Sequence, residues 1–292
     1  MARPVSEIFS KTTRLDRFSQ NGEDGIIAAL FEELGTGNRR CCEFGAWDGI
    51  HFSNCRNLVL QGWECLFIEG EEARYRDLAR NYAGNDRVHA VHAFVNNSDN
   101  KLGDFVRSVW PDGGTDLLSI DIDGLDYQLM RSLSVKPRVI CIEVNAGHSP
   151  LSTFELPVEV ARHNVGQPLN IFVADAAKHG YTLLGYNGNA FFVRDDECAR
   201  LGWSRTSSVE AYEKFLSDHL DQKAKEWLYL VNKGLAPPYH SFQNAYLTAK
   251  RLGISPLRAI ELVVRTKLDP LFKRAEYLAR RLVRYVIGIR RQ

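Results

Sequence analysis

The chain has 292 residues, 45% of them hydrophobic and 25% charged, with a formal net charge of +1. Such a chain buries a full core as one large domain or as one domain with an appendage, which excludes a disordered tail protein and a disulfide-stapled miniature. No run of ~18 or more apolar residues occurs, and MARPVSEIFSKTTRLDRF lacks the apolar centre of a signal peptide, so the chain is expected to start in the cytoplasm and stay there.

In chain order, the segment EDGIIAALFEEL places Ile26, Ile27, Leu30, Phe31 and Leu34 on one helical face, with Asn21 or Asp24 as candidate caps. Short apolar and β-branched runs follow at RCCEF (40–44), CLFIE (65–69), VHAVHAF (88–94), DLLSID (116–121) and RVICIEV (138–144), with helical segments between them. That alternation predicts a parallel sheet with crossover helices. Two late strands, YTLLGYN and AFFVRD, flank Gly188 and Asn189 and predict an edge hairpin. The expected α/β domain spans 1–200.

After Asp195 the pattern turns helical, and the region 205–292 is expected to be an all-helical extension. Its last stretch, 265–292, holds nine Lys or Arg against Asp269 and Glu276, a net of +7 that leaves −6 for the rest of the chain. Leu271, Ala275, Leu278, Leu282, Val286 and Ile289 recur at helical spacing, which predicts a basic amphipathic helix. Such a helix suits an anionic membrane surface or a protein partner, or packs on its own domain with a solvated charged face.

The six cysteines show no CxxC pair and no zinc spacing, and four lie in or beside apolar strands, so buried free thiols are expected.

Ligands of an open parallel sheet bind at the carboxyl ends of the strands, where the strand order reverses. Here the first strand ends at Glu43 and runs into Gly45, Ala46, Trp47, Asp48 and Gly49; the second ends at Glu69. A glycine lets backbone approach a ligand, and a strand-end carboxylate takes up an amino group. A second carboxylate about two dozen residues on accepts ribose hydroxyls, in dinucleotide and S-adenosylmethionine sites alike. The segment is not GxGxxG, and the bulk of Trp47 and the charge of Asp48 oppose a pyrophosphate while leaving a cationic sulfonium ligand unhindered.

FSQNGEDGII (18–27), CEFGAWDGIHFSN (42–54), GWECLFIEGE (62–71), DLLSIDIDGLDY (116–127) and PRVICIEVN (137–145) together resemble the FkbM-type S-adenosylmethionine-dependent methyltransferases. The likeness covers most of 18–194 and departs at Trp47, where asparagine is frequent, and in the doubled acids of DIDGLDY. It implies a Rossmann-like class I methyltransferase sheet. Glu43 and Gly45 would hold the methionine part, with Asp48 beside them, and Glu69 the ribose. Ser19 and Gln20 would lie near the methionine carboxylate and Asn96 at the adenine edge. Read from the residues alone, 19–24 has a helix cap as its lesser alternative.

Asp121, Asp123 and Asp126 crowd the end of the fourth strand, and Glu143, Asn145 and His148 follow the fifth. Neighbouring strands lie about 4.8 Å apart, so these carboxylates converge and repel unless a cation or proton intervenes. One reading has Asp121, Asp123, Glu143 and Asn145 hold Mg²⁺ or Mn²⁺, which activates an acceptor hydroxyl. Another makes Asp121, Asp123 or His148 a general base. A third is structural, with Asp123 and Gly124 in a turn and Asp126 capping a helix.

The expected activity is O-methylation of a sugar hydroxyl on a glycan or surface-polysaccharide precursor. Trp47, His51, His148, Tyr186, Asn187 and Asn189 are the candidates to grip a sugar ring. An NAD-linked oxidoreductase and a non-catalytic methyltransferase-fold scaffold are the alternatives. Nucleic acid is not the expected acceptor, because the catalytic half is acidic and no NPPY-type motif occurs.

Overall fold

The computed structural model describes residues 2–95, 102–146, 148, 150, 153, 155–158 and 166–219, with backbone alone at 216, 217 and 219. These residues divide between a sheet-containing unit that runs to Phe215 and a second unit made of 147–149 and 216–292. The basic stretch 265–292 and the helical segments after 219 lie outside the described residues.

In the first unit, α1 (Val5–Ile8) and α2 (Glu23–Leu34) precede five β-strand and helix repeats. These are β1 (Arg40–Phe44) and α3 (Arg56–Leu60), β2 (Glu64–Glu69) and α4 (Glu72–Asn81), β3 (Val88–His92) and α5 (Leu102–Val109), β4 (Leu117–Ile120) and α6 (Asp126–Arg131), and β5 (Val139–Glu143) and α7 (Leu169–Lys178). The hairpin β6 (Tyr181–Tyr186) and β7 (Asn189–Arg194), then α8 (Asp195–Leu201) and α9 (Ser208–His219), follow. The sheet order is β3-β2-β1-β4-β5-β7-β6, with β1 to β5 parallel and β7 antiparallel to both neighbours. This is the expected Rossmann-like class I methyltransferase sheet. The chain moves one way from β1 to β3 and the other from β1 to β4 and β5, so a crevice opens above the carboxyl ends of β1 and β4.

The strands are near-continuous apolar runs because helices cover both faces. Register puts Cys41, Cys65, Leu117 and Val139 side by side on one face, and α2 packs there through Ile26, Ile27, Leu30 and Phe31. Fully burying each of these α2 side chains contributes about 1.5–3 kcal/mol. All six cysteines are buried and free. The strands of the third, fourth and fifth runs are two residues shorter than their apolar stretches, although Ala93, Asp121 and Val144 just beyond them still donate backbone hydrogen bonds to Glu69, Phe44 and Gly188. The hairpin turn is Asn187 and Gly188, and Asn189 already pairs with Glu143 as the first residue of β7.

Neither candidate cap closes α2. Its N-cap is Gly22, at φ 93°, and the first-turn N–H of Asp24 donates instead to Ser19 Oγ at 3.1 Å. The other end is held from outside: Arg138 donates to the carbonyls of Leu34 (2.9 Å) and Gly35 (2.8 Å), orphan acceptors of a helix end. The same guanidinium reaches Asp116 (3.1 Å) and Glu197 (2.6 Å), joining α2, the start of β4 and β5, and α8. At the far edge, Tyr212 and Phe215 of α9 pack on Tyr186 of β6, with ring centroids at 6.1 and 4.9 Å.

Candidate functional site

A cavity of about 480 Å³ opens at the carboxyl ends of β1, β2 and β4, walled by Gly45, Trp47, Glu69, Phe94, Asp121 and Asp123 among others. It is large enough for a nucleoside-sized ligand. Gly45 makes the crevice possible. Its φ is 78°, and a Cβ there would stand 1.7 Å from the Asp121 carbonyl oxygen, so β1 and β4 close together only over glycine.

Glu69 is buried, and two backbone groups fix its carboxylate: Trp47 N–H donates to Oε2 and Glu71 N–H to Oε1, both at 2.7 Å. Each oxygen keeps a second acceptor position, and the pair is presented at the cavity wall, which suits a vicinal diol. Trp47 adopts φ 52°, unusual for a bulky residue, and Arg74 stacks over its indole at 4.0 Å while the side chain remains 44% exposed.

The other candidate cofactor residues serve the loops around this wall. Glu43 faces inward instead of lining the cavity: Ser53 Oγ donates to it at 2.6 Å and Asn54 N–H at 2.7 Å. Burial, with the neighbouring Cys55 thiol, pushes its carboxyl well above the usual range against those bonds. Asn54 in turn donates to Ser119 Oγ at 3.0 Å, tying the turn before α3 to β4. Asp48 accepts from the N–H groups of Ile50 and His51 at 2.9 Å and meets His51 Nδ1 at 2.6 Å. Burial opposes ionisation there, but the His51 and Ile50 bonds prevail and hold its carboxyl below the ordinary value.

The FSQNGED block clamps the fold. Asp24 Oδ2 accepts from the backbone of Arg17, Phe18 and Ser19 and from Ser19 Oγ. Glu23, fully buried, accepts from the N–H groups of Gln20 and Asn21 and from the side-chain amides of Asn187 and Asn189. Ser19 is therefore spent inside its own loop, while Gln20 is exposed. Tyr186, Asn187 and Asn189 are buried, and the tyrosine hydroxyl donates to Val144 O at 2.7 Å, so these three form no surface for a sugar ring. Asn96 lies outside the described residues.

At the ends of β4 and β5, Asp121, Asp126 and Glu143 bring carboxylate oxygens within 4.8 Å of one another. Asp126, the first residue of α6, is oriented by the N–H groups of Ile122 (2.8 Å) and Gly124 (2.9 Å). Burial and the neighbouring acids push Asp121 well above the usual range and Glu143 to about 7; burial brings Asp126 to about 6. The sequence expectation put Asp123 in this cluster. Instead Asp123 takes φ 55° in an exposed turn and lines the cavity, and Asp126 takes the place beside Asp121. The DxDGxD spacing carried that signal, because a turn at Asp123 and Gly124 brings the third acid, at the start of α6, back over the strand end. Asn145 follows β5 and is half-buried. His148 belongs to the second unit.

Phe94 is a wall residue the sequence did not single out; it is 70% exposed, and Gly70 gives it room. Ser53 and Asn54 were likewise missed as the partners of Glu43. Their signal is the FSN run ten residues beyond the strand-end acid.

No protein-family model and no curated protein matches the chain. Among solved structures it is similar to a TehB-like SAM-dependent methyltransferase from Corynebacterium glutamicum, at 12% identity and TM-score 0.36, over 61% of this chain and 86% of that one. It is also similar to the glycopeptide N-methyltransferase MtfA complexed with S-adenosyl-L-homocysteine, at 13% identity and TM-score 0.38, over 66% and 99%. A SAM-dependent methyltransferase from Aquifex aeolicus aligns at 12% identity and TM-score 0.37, over 65% and 97%. With TM-scores below 0.5 these likenesses decide nothing about this chain's site, and the fold stands on its own strand order: a Rossmann-like sheet of the class I methyltransferase kind.

Proposed function

We propose that the protein is an S-adenosyl-L-methionine-dependent O-methyltransferase acting on a sugar hydroxyl of a glycan or polysaccharide precursor. One observation carries the cofactor part. The cavity wall holds four carboxylates, Glu69, Glu71, Asp121 and Asp123, and no Lys or Arg among the described residues. Such a wall repels a pyrophosphate and favours a sulfonium cation. Glu69 would take the ribose hydroxyls, and Gly45 would let the cofactor lie against the β1 backbone. Calorimetry with S-adenosyl-L-homocysteine and with NAD tests this directly; binding of NAD alone overturns the reading in favour of an oxidoreductase.

The cofactor supplies a methyl group already bonded to a good leaving group, so the protein's tasks are alignment and removal of one proton from the acceptor oxygen. Asp121, Asp126 and Glu143 fit a hard divalent cation such as Mg²⁺ or Mn²⁺: all three donors are oxygens, and their mutual repulsion is relieved by positive charge. A cation there would lower the pKa of the acceptor hydroxyl. The metal-free alternative has its own support. Glu143, raised to about 7, has the proton affinity of a general base working near neutrality. Activity that survives EDTA and gains nothing from Mg²⁺ or Mn²⁺ assigns the proton to Glu143. Labelled S-adenosyl-L-methionine with a panel of activated sugars tests the acceptor class, and no transfer to any sugar removes it.

A further inference from the structure

β1, β2 and the turn before α3 bring three thiols together beneath the crevice. Cys41 and Cys65 are register partners on adjacent strands, and Cys55 immediately precedes α3. All three are 0% exposed, and their sulfur atoms lie within 4.8 Å of one another. Cys42 alternates to the opposite face of the sheet and takes no part. Cys41 also donates to the Glu64 carbonyl at 3.6 Å.

Three converging sulfur donors select a soft, thiophilic ion. Charge narrows the choice. The carboxyls of Glu43 and Asp24 bear on the trio and supply no positive charge, and the guanidinium of Arg56, next to Cys55 in sequence, lies over the Phe18 and Tyr82 rings. A monovalent ion on three thiolates leaves a net charge of −2 and a divalent ion −1, each costly in an apolar interior. A trivalent centre leaves none.

We propose that Cys41, Cys55 and Cys65 form a binding site for trivalent arsenic, held as a neutral tris-thiolate. Arsenous acid and three thiols give three As–S bonds and three waters: each thiol proton leaves with one arsenic hydroxyl, and no electron changes hands. Entry would require a local opening of the loop before Cys55, where His51 and Phe52 are exposed and Phe52 sits at φ 62°. The bound ion would cross-link β1, β2 and the turn whose Ser53 and Asn54 hold Glu43, fixing that turn from below.

The site stands apart from the methyl-transfer reading, so its test does not use activity. The full chain, reduced with a phosphine so that no competing thiol is present, is titrated with arsenite. Native mass spectrometry counts the bound arsenic, and X-ray absorption at the arsenic edge counts its sulfur neighbours. One arsenic per chain with three sulfur neighbours is expected, together with loss of stoichiometric binding in Cys55→Ser and in Cys65→Ser. Cys198→Ser, at a distant buried thiol, should bind as the parent does. Because Cys65 is a strand residue whose variant can unfold, Cys55→Ser, at the turn, carries the decision, with circular dichroism confirming that it is folded. Absence of binding, two sulfur neighbours or fewer, unchanged binding in folded Cys55→Ser, or uptake only by denaturant-unfolded chain each overturns the proposal. Stoichiometric binding of Zn²⁺ in place of arsenic overturns the charge argument.

Discussion

Glu69 illustrates how a single carboxylate becomes a ligand group. Free in solution it would rotate; here two backbone N–H groups at 2.7 Å hold both oxygens in one plane with an acceptor position spare on each. Glu69→Gln replaces one acceptor with an amide that opposes a backbone N–H and removes the charge. Losing charge-assisted hydrogen bonds to the ribose should cost about 1.5–3 kcal/mol, roughly 10–100-fold in affinity for S-adenosyl-L-homocysteine. Isothermal calorimetry on the folded variant checks this, and unchanged affinity would remove Glu69 from the cofactor site. At this scale the sequence was legible where chain geometry alone decides position. Glu69 and Glu143 end β2 and β5, Gly45 and Asp121 directly follow β1 and β4, and a strand end at the switch point must face the crevice. It was not legible where a side chain could turn either way. Glu43 lies one residue inside the end of β1, and its carboxylate accepts from Ser53 and Asn54, whose loop conformation no spacing rule specifies. Asp48 and Ser19 were drawn into their own turns in the same manner, because short polar side chains find nearby backbone N–H groups first.

The elements were readable because covered parallel strands write themselves as apolar runs between helical periods. β1 coincides with RCCEF, and α2 with EDGIIAALFEEL. Their ends were less so: a strand stops where its backbone loses a partner, which depends on the neighbouring strand and not on its own residues. Arg138 shows a tie of the same non-local kind. It lies one residue before β5 and closes the end of α2, a hundred positions away, while pairing with Asp116 and Glu197. Replacing it with Met leaves the buried Asp116 carboxylate without its cation and the Gly35 carbonyl without that donor, and leaves Glu197 and the Leu34 carbonyl with Arg200 as their remaining hydrogen-bonding arginine. The expected destabilisation is about 3 kcal/mol, at the low end for a broken buried pair because Asp116 keeps the backbone donors of Gly37 and Arg39. The network also predicts acid sensitivity. Burial opposes the charge on Glu197, yet Arg138 and Arg200 prevail and hold its carboxyl below 4.5, so its stabilisation is full above the unfolded value and is lost as pH falls through the folded one. Thermal melts of the parent should therefore fall below about pH 4.5 more steeply than those of Glu197→Gln. Parallel curves would show that the network carries no net charge stabilisation.

The molecule as a whole separates an acidic body from a basic end. Residues 265–292 carry +7 and leave −6 for the remainder, an asymmetry that composition alone exposes and that the sheet does not need. Among the described residues no helix is long and apolar enough to cross a membrane. Juxtaposed Lys and Arg contribute roughly 1 kcal/mol each near an anionic leaflet, and an apolar stripe at helical spacing adds burial in the headgroup region. We expect the full chain to sediment with vesicles rich in phosphatidylglycerol and to release them as salt rises, since the attraction decays within a Debye length of about 10 Å at 0.1 M salt. A chain ending at 264 should stay in the supernatant while binding S-adenosyl-L-homocysteine as tightly as the full chain does. Equal sedimentation of the two chains would assign the basic stretch to a protein contact, and weakened cofactor binding in the shorter chain would show that the stretch supports the site itself.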